Sequence, residues 1–240
     1  MNDSTSAPTV VLVHGAFADA GSFADLSAIL IAAGVSVLAP SNPLRGLAQD
    51  SAYIASVFAQ VPGPVLAVGH SYGGAVITNA ATGASNVAGL VYVAAFAPDE
   101  GEALGEVEGT SRDSALGPAL VQRTYPLGDS TAVELYVDVN AFHQVFASDV
   151  APEKSAVLAA SQRPVAAAAF DERTGVPAWK TLPSWSVVAT GDKAAGADVI
   201  HSMAVRAGAE ITELEGSHVI MISRPQDVAD VVLRALSSIS

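Results

Sequence analysis

Short runs of nearly unbroken apolar residues punctuate the first hundred positions: Thr9 to Val13, Val35 to Ala39, Val65 to Val68 and Val87 to Ala95. A strand with one face in water alternates apolar and polar residues, so continuous runs mean burial on both faces. Between them lie longer segments with helical spacing. Phe23 to Ala33 places Phe23, Leu26, Leu30 and Ala33 on one side, and Gly34 stands where a helix stops. Leu47 to Gln60 and Tyr72 to Ala81 read as further helices. Late in the chain, Ser186 to Ala189 and Glu210 to Leu214 read as strands separated by a helix near Asp198 to Ala207. Pro225 to Leu236 closes the chain as a helix with proline in its first turn. Strand and helix in alternation predict an α/β protein: a mainly parallel sheet of about six strands, covered by helices on both faces.

The middle breaks this rhythm. Glu100 to Lys180 offers no convincing core strand. Gly101 to Gly117 is rich in glycine and acid and reads as loop. Thr131 to Val137, Phe142 to Ala147 and Pro152 to Ser161 read as short helices. Residues 1–100 and 181–240 are therefore expected to form the core, with 101–180 a helical cap inserted over the site.

Composition narrows the chemistry. Half of the 240 residues are apolar, enough to bury a sizeable core. The formal charge of −13 argues against nucleic acid, a polyanion, as a partner. The absence of cysteine removes disulfides, thiolate metal sites and thiol nucleophiles. The segment Ser51 to Ala97 carries no charge, yet prolines, glycines, His70 and Asn79 break it into runs too short to span a bilayer. The start, Met1 to Pro8, has neither the basic flank nor the apolar centre of a secretion signal. A cytoplasmic protein without membrane insertion is expected.

The strongest motif is Gly69-His70-Ser71-Tyr72-Gly73. It follows a buried strand directly and precedes a helix, the setting that a G-x-S-x-G nucleophile turn requires. A strand turning so sharply into a helix strains the backbone of the serine and leaves no room for side chains at the flanking glycines. The hydroxyl of Ser71 is then exposed beside a helix N-terminus, where free amides favour negative charge. Serine is a weak nucleophile and needs a base. Of the five histidines, His218 lies on a loop after the last strand, and carboxyl ends of parallel strands are where such sheets place their sites. His14 ends the first strand, His70 belongs to the turn itself, His143 lies in the inserted block, and His201 sits in mid-helix facing solvent. An acid must hold the base in one tautomer. Asp192 follows a strand end and gives the chain order Ser71, Asp192, His218. Asp198 and Glu213 compete, the first as a helix-start residue, the second within a strand; Asp192 could itself simply cap a helix. Two amide donors are needed for the oxyanion. They are expected to be Tyr72, next to the nucleophile, and Ala16 on the loop after the first strand, with Phe17 the alternative by one residue.

The run Val10 to Ala16 (VVLVHGA), the turn Gly69 to Gly74 (GHSYGG) and the stretch Val91 to Asp99 (VYVAAFAPD) together resemble the α/β-hydrolase superfamily. The likeness is greatest to its small esterase branch, which also holds plant methylesterases and hydroxynitrile lyases, and it covers about two-thirds of the chain. It implies Ser71, Asp192 and His218 as a catalytic triad, Ala16 and Tyr72 as oxyanion donors, and neither metal nor organic cofactor. The lyases of this branch carry a lysine after the catalytic histidine, where this chain has Val219. Members with an aspartate nucleophile, the haloalkane dehalogenases and epoxide hydrolases, are set apart by Ser71.

The expected activity is hydrolysis of a small, largely apolar carboxylic ester through an acyl-enzyme. Phe17 and the aromatics Tyr125, Tyr136, Phe142, Phe146, Phe170, Trp179 and Trp185 are expected around an acyl or alcohol pocket. Two rivals are a small-molecule sensor with a relic triad and a lyase or perhydrolase. The small-molecule ester is the expected partner, and a homodimer is left open.

Overall fold

The computed structural model describes residues 7–239. The polar start read above as lacking a secretion signal lies, up to Ser6, outside the described residues. The chain begins Thr9–Val13 (β1), Ala24–Ala32 (α1), Ser36–Leu38 (β2), Leu47–Gln60 (α2), Val65–His70 (β3), Tyr72–Ala80 (α3) and Val87–Val93 (β4). An inserted block follows: Leu104–Glu108 (α4), Leu116–Ala119 (α5), Leu120–Leu127 (β5), Ser130–Val137 (β6), Val139–Phe146 (α6), Pro152–Ser161 (α7), Val165–Ala166 (β7) and Ala168–Asp171 (α8). Ser184–Ala189 (β8), Ala197–Arg206 (α9), Glu210–Leu214 (β9), Ile220–Ser223 (α10) and Pro225–Ile239 (α11) complete the core.

The main sheet has six strands in the order β2-β1-β3-β4-β8-β9, every neighbouring pair parallel. Burial follows position. The strands β3 and β8 are buried at every residue, whereas the edge strands β2 and β9 have no fully buried residue. From β1 the chain steps first one way, to β2, and then back across to β3. Right-handed crossovers therefore place α1 on one face and α2 and α3 on the other. The closing helix α11 joins α1, and α2 packs on α3. Among the described residues, no helix is long and apolar enough to cross a membrane.

The inserted block is not all helical. Phe142 to Phe146 and Pro152 to Ser161 do lie in helices, α6 and α7, but Thr131–Val137 is extended and belongs to β6. It pairs antiparallel with β5, from Leu127 opposite Ser130 to Leu120 opposite Val137. The two-residue link, Gly128 and Asp129, explains the pairing. Gly128 has φ +58°, a conformation that tight hairpin turns require and that glycine adopts freely. The strand β7 adds a third member to this small sheet. The stretch Gly101 to Gly117, read as loop, contains the short helix α4 and the start of α5.

Candidate active site

Strain gathers at one edge of the main sheet. Among the described residues, four other than glycine have positive φ: Phe17, Leu44, Ser71 and Ala94. Each lies just past the carboxyl end of one of β1 to β4. Such conformations cost about 1–3 kcal/mol each and persist only where their surroundings enforce them.

Ser71 sits between β3 and α3 with φ 54° and ψ −126°, the strained turn expected from its glycines. The reason those glycines are needed is steric: a Cβ on Gly73 would lie 2.2 Å from the Val13 carbonyl oxygen, and one on Gly69 would lie 2.6 Å from that of Gly73. The loop after β1 presses equally close. A Cβ on Gly15 would lie 2.6 Å from the Ser71 Cβ and 3.1 Å from the Tyr72 nitrogen. The chain at His14 to Phe17 thus lies against the serine and the first turn of α3.

The amides of this loop separate into used and free. The N–H of Phe17 donates to the Arg163 carbonyl at 3.0 Å. The N–H of Ala16 has no acceptor among the described residues, and neither has that of Tyr72, the first residue of α3. His14 anchors the loop from below. Its Nδ1 donates to the Gly15 carbonyl at 2.9 Å, while Nε2 accepts the Asn42 N–H at 2.9 Å and lies 3.2 Å from Arg163 Nη1. Burial, with the Arg163 charge adding to it, lowers the His14 pKa from 6.5 to about 4.

His218 and Asp192 meet as expected from their loops after β9 and β8. The His218 Nδ1 donates to Asp192 Oδ2 at 2.7 Å, and both side chains are 1% exposed. The other carboxylate oxygen accepts the N–H groups of Ala194 and Ala195 at 2.9 and 3.0 Å. Asp192 therefore caps the turn before α9 and holds the imidazole together. In the neutral ring, a proton on Nδ1 leaves the lone pair on Nε2. His70, the neighbour of Ser71, packs its ring 4.8 Å from that of His218 and donates from Nε2 to the His218 carbonyl at 2.9 Å. Burial first, then the nearby His218, pushes the His70 pKa well down. Phe146 of α6 covers His218, with ring centroids 4.8 Å apart. Among the described residues the Ser71 hydroxyl makes no hydrogen bond to His218; the two residues are joined through His70.

The competing acids are engaged elsewhere. Asp198 accepts from Ser111 Oγ and the Arg112 N–H, and Glu213 pairs with the half-exposed His201 at 3.4 Å. The aromatics divide. Phe142 and Phe146 do line a narrow cleft with Phe17, Leu158, Val219 and Ile222, but Asp19, Ser22 and Ser161 share its wall and neither Ser71 nor His218 is part of it. Phe170 stands near the Tyr72 ring, at 6.2 Å. Tyr125 and Tyr136 instead stack under Arg45 and Arg123 on the hairpin, Trp179 donates to the Pro98 carbonyl, and Trp185 is buried in β8. Sequence reasoning missed the tie between Tyr72 Oη and the fully buried Asp50, at 2.8 Å, and the Asn42–His14 bonds. Neither pair has a spacing that marks it.

A parallel sheet whose serine, aspartate and histidine follow its strand ends in that order defines a class, and comparison with known proteins agrees. The model of the alpha/beta hydrolase family matches residues 10–231, and the chain belongs to that family. Over 107 residues it is 36% identical to the carbendazim hydrolyzing esterase of Nocardioides sp. (strain SG-4G). That match covers 39% of this chain and 44% of the relative, so it spans under half of that protein. Among solved structures, polyneuridine aldehyde esterase superposes with a TM-score of 0.81 at 20% identity, covering 96% of this chain and 99% of the other. A pyrethroid hydrolase from Sphingobium faniae JZ-2 gives 0.78 at 18%, covering 96% and 98%. A methylesterase from Arabidopsis gives 0.77 at 20%, covering 97% and 99%. At these identities the likeness is one of fold.

Proposed function

We propose that the protein is a serine carboxylesterase acting on small, largely apolar esters through an acyl-enzyme. The observation that carries this reading is the buried Asp192–His218 pair, whose loop is tied through His70 to the residue next to the strained Ser71. In the reaction, Ser71 Oγ attacks the ester carbonyl carbon while His218 Nε2 takes its proton. Asp192 stabilises the imidazolium. The carbonyl oxygen, now negative, is received by the amides of Ala16 and Tyr72; the prior use of the Phe17 amide by Arg163 favours Ala16 over Phe17. His218 returns the proton to the departing alkoxide. Water then attacks the acyl group with His218 again the base, and Ser71 is restored. The Ser71–His218 hydrogen bond that the reaction needs is to form when substrate arrives, as catalytic hydrogen bonds often do. The preference for apolar groups is supported by Phe146, whose ring covers His218, and by Phe17 and Phe142, which pack against Phe146. The buried apolar Val219, where the related lyases carry lysine, favours hydrolysis over lyase chemistry.

The test is hydrolysis of short p-nitrophenyl esters, with a fluorophosphonate probe located by mass spectrometry. Wild type should turn over and carry the label on Ser71. Ser71→Ala should lose at least about 10³-fold in kcat and take no label. Equal rates for the two proteins would end the proposal.

A further inference from the structure

Asp149 lies in the inserted block, on the turn between α6 and α7, and the mechanism above gives it no part. Its carboxylate nevertheless reaches the loop that carries His218. Asp149 Oδ2 accepts the Ser217 N–H at 2.9 Å and the Ser223 hydroxyl at 2.6 Å, and Oδ1 accepts the Ser217 hydroxyl. The approach is close enough to dictate the neighbouring residue: a Cβ on Gly216 would lie 2.7 Å from Asp149 Oδ2. Two further contacts run between the same elements. The Ser217 hydroxyl also lies 3.4 Å from the Phe146 carbonyl oxygen, and the Phe146 ring covers the His218 imidazole. Gly216 in turn accepts the Gly191 N–H at 2.9 Å, which ties the Asp192 loop to the same point.

From this we infer that Asp149 is a positioning residue for His218, so that docking of the inserted block and alignment of the catalytic base are one event. The inference rests on the esterase reading and extends it. His218 is fixed by Asp192 on its ring and by His70 on its carbonyl. Both bonds leave open the orientation of the Gly216–Ser217 peptide through which the chain enters His218, and a turn of that peptide plane swings Nε2 relative to Ser71. Its carbonyl accepts the Gly191 N–H, and the bond from the Ser217 N–H to Asp149 fixes its other side. A carboxylate suits the place because three donors converge on it and it offers acceptors only. An amide would turn one NH₂ toward an N–H or O–H donor.

The experiment compares wild type with Asp149→Asn, at a temperature well below both melting points. Three quantities are read: the labelling rate of Ser71 by a fluorophosphonate, kcat and KM on a p-nitrophenyl ester, and the far-downfield proton resonance of the His218 Nδ1–H shared with Asp192. A misplacement of about 1 Å costs on the order of 10²-fold, so labelling and kcat should each fall by about 10- to 100-fold. KM should hold and the downfield resonance should broaden or vanish in a folded protein. Equal labelling of wild type and variant overturns this inference alone. So does a fall in rate that merely tracks lost folded protein, with the resonance intact. A wild type inert to the probe overturns the esterase reading and this inference with it. Should Asp149→Asn not fold, Ser217→Ala removes one of the donors; slower labelling supports the assignment, and an unchanged rate overturns it.

Discussion

His14 gives a prediction in which pH acts on stability through one imidazole. The ring is fully buried, and each nitrogen is already committed: Nδ1 donates to the Gly15 carbonyl, and Nε2 accepts the Asn42 N–H. Protonating Nε2 would expel that donor and set a cation 3.2 Å from the Arg163 guanidinium. The opposing charge of Asp19 is a weaker influence. Burial accordingly lowers the pKa from 6.5 to about 4. A group that binds its proton less readily when folded stabilises the fold fully above its unfolded pKa, and that stability is lost as pH falls. The loss therefore begins near pH 6.5 and is nearly complete by pH 4. At about 1.4 kcal/mol per tenfold change in proton affinity, it amounts to about 3 kcal/mol. His70 is pushed the same way and adds to the same acid limb. Unfolding free energies from urea titrations between pH 7.5 and 4 should fall steeply for wild type. In His14→Gln, less stable at neutral pH, the fall should be shallower by about 3 kcal/mol. Parallel curves for the two proteins would refute the burial argument, whatever their absolute stabilities.

Two further predictions concern the site. Asp192→Asn keeps an oxygen for the Ala194 and Ala195 amides but turns an NH₂ toward His218 Nδ1; the imidazole should flip tautomer and present N–H to Ser71. The same change in serine proteases costs about 10⁴ in kcat, so steady-state kinetics should show a loss of that order with Tm little moved; retention of more than a tenth of the rate would count against the triad. Gly15→Ala puts a methyl 2.6 Å from the Ser71 Cβ and 2.7 Å from the His70 carbonyl oxygen. Such overpacking should cost about 1–3 kcal/mol in a denaturant melt and displace Ser71 enough to remove most of the turnover; an active, fully stable variant would show that the loop yields freely.

The core and the site were legible in the chain because both are written in local chemistry. The unbroken apolar run Val65 to Val68 is a central, fully buried strand, whereas Val35 to Ala39, interrupted by Ser36, forms the edge strand β2 with no fully buried residue; the GHSYGG run between β3 and a helix is the strained turn. What lay outside reach was long-range. Thr131 to Val137 reads as helix when taken alone. It is a strand because Gly128 and Asp129 fold it back on β5, a two-residue turn signal that outweighs its helical spacing. Among the aromatics, Tyr125 and Trp179 are alike by type, and only the packing shows that one stacks under Arg45 and the other donates to Pro98. Asp149 has no local signature at all; its meaning arises from a loop 68 residues away.

Three of the five histidines are fully or almost fully buried at the same end of the sheet, so the proposed reaction must choose which of them serves as the base. Hydrogen bonding makes the choice. On His14 the proton sits at Nδ1 facing a carbonyl, and the free nitrogen already accepts the Asn42 N–H. On His70 the proton sits at Nε2 facing the His218 carbonyl, and the buried Nδ1 has no partner among the described residues. Both rings donate to neutral oxygens, and neither has a carboxylate within hydrogen-bonding reach. Taking a second proton would bury an uncompensated charge, which costs several kcal/mol. His218 alone donates to a carboxylate, at 2.7 Å, so the cation formed there has its counter-ion in place before the reaction begins. The two silent imidazoles still matter to the third. One fixes the loop that supplies the Ala16 amide, and the other carries the His218 backbone from the residue next to Ser71. In the proposed mechanism, proton transfer is thereby confined to one nitrogen out of six.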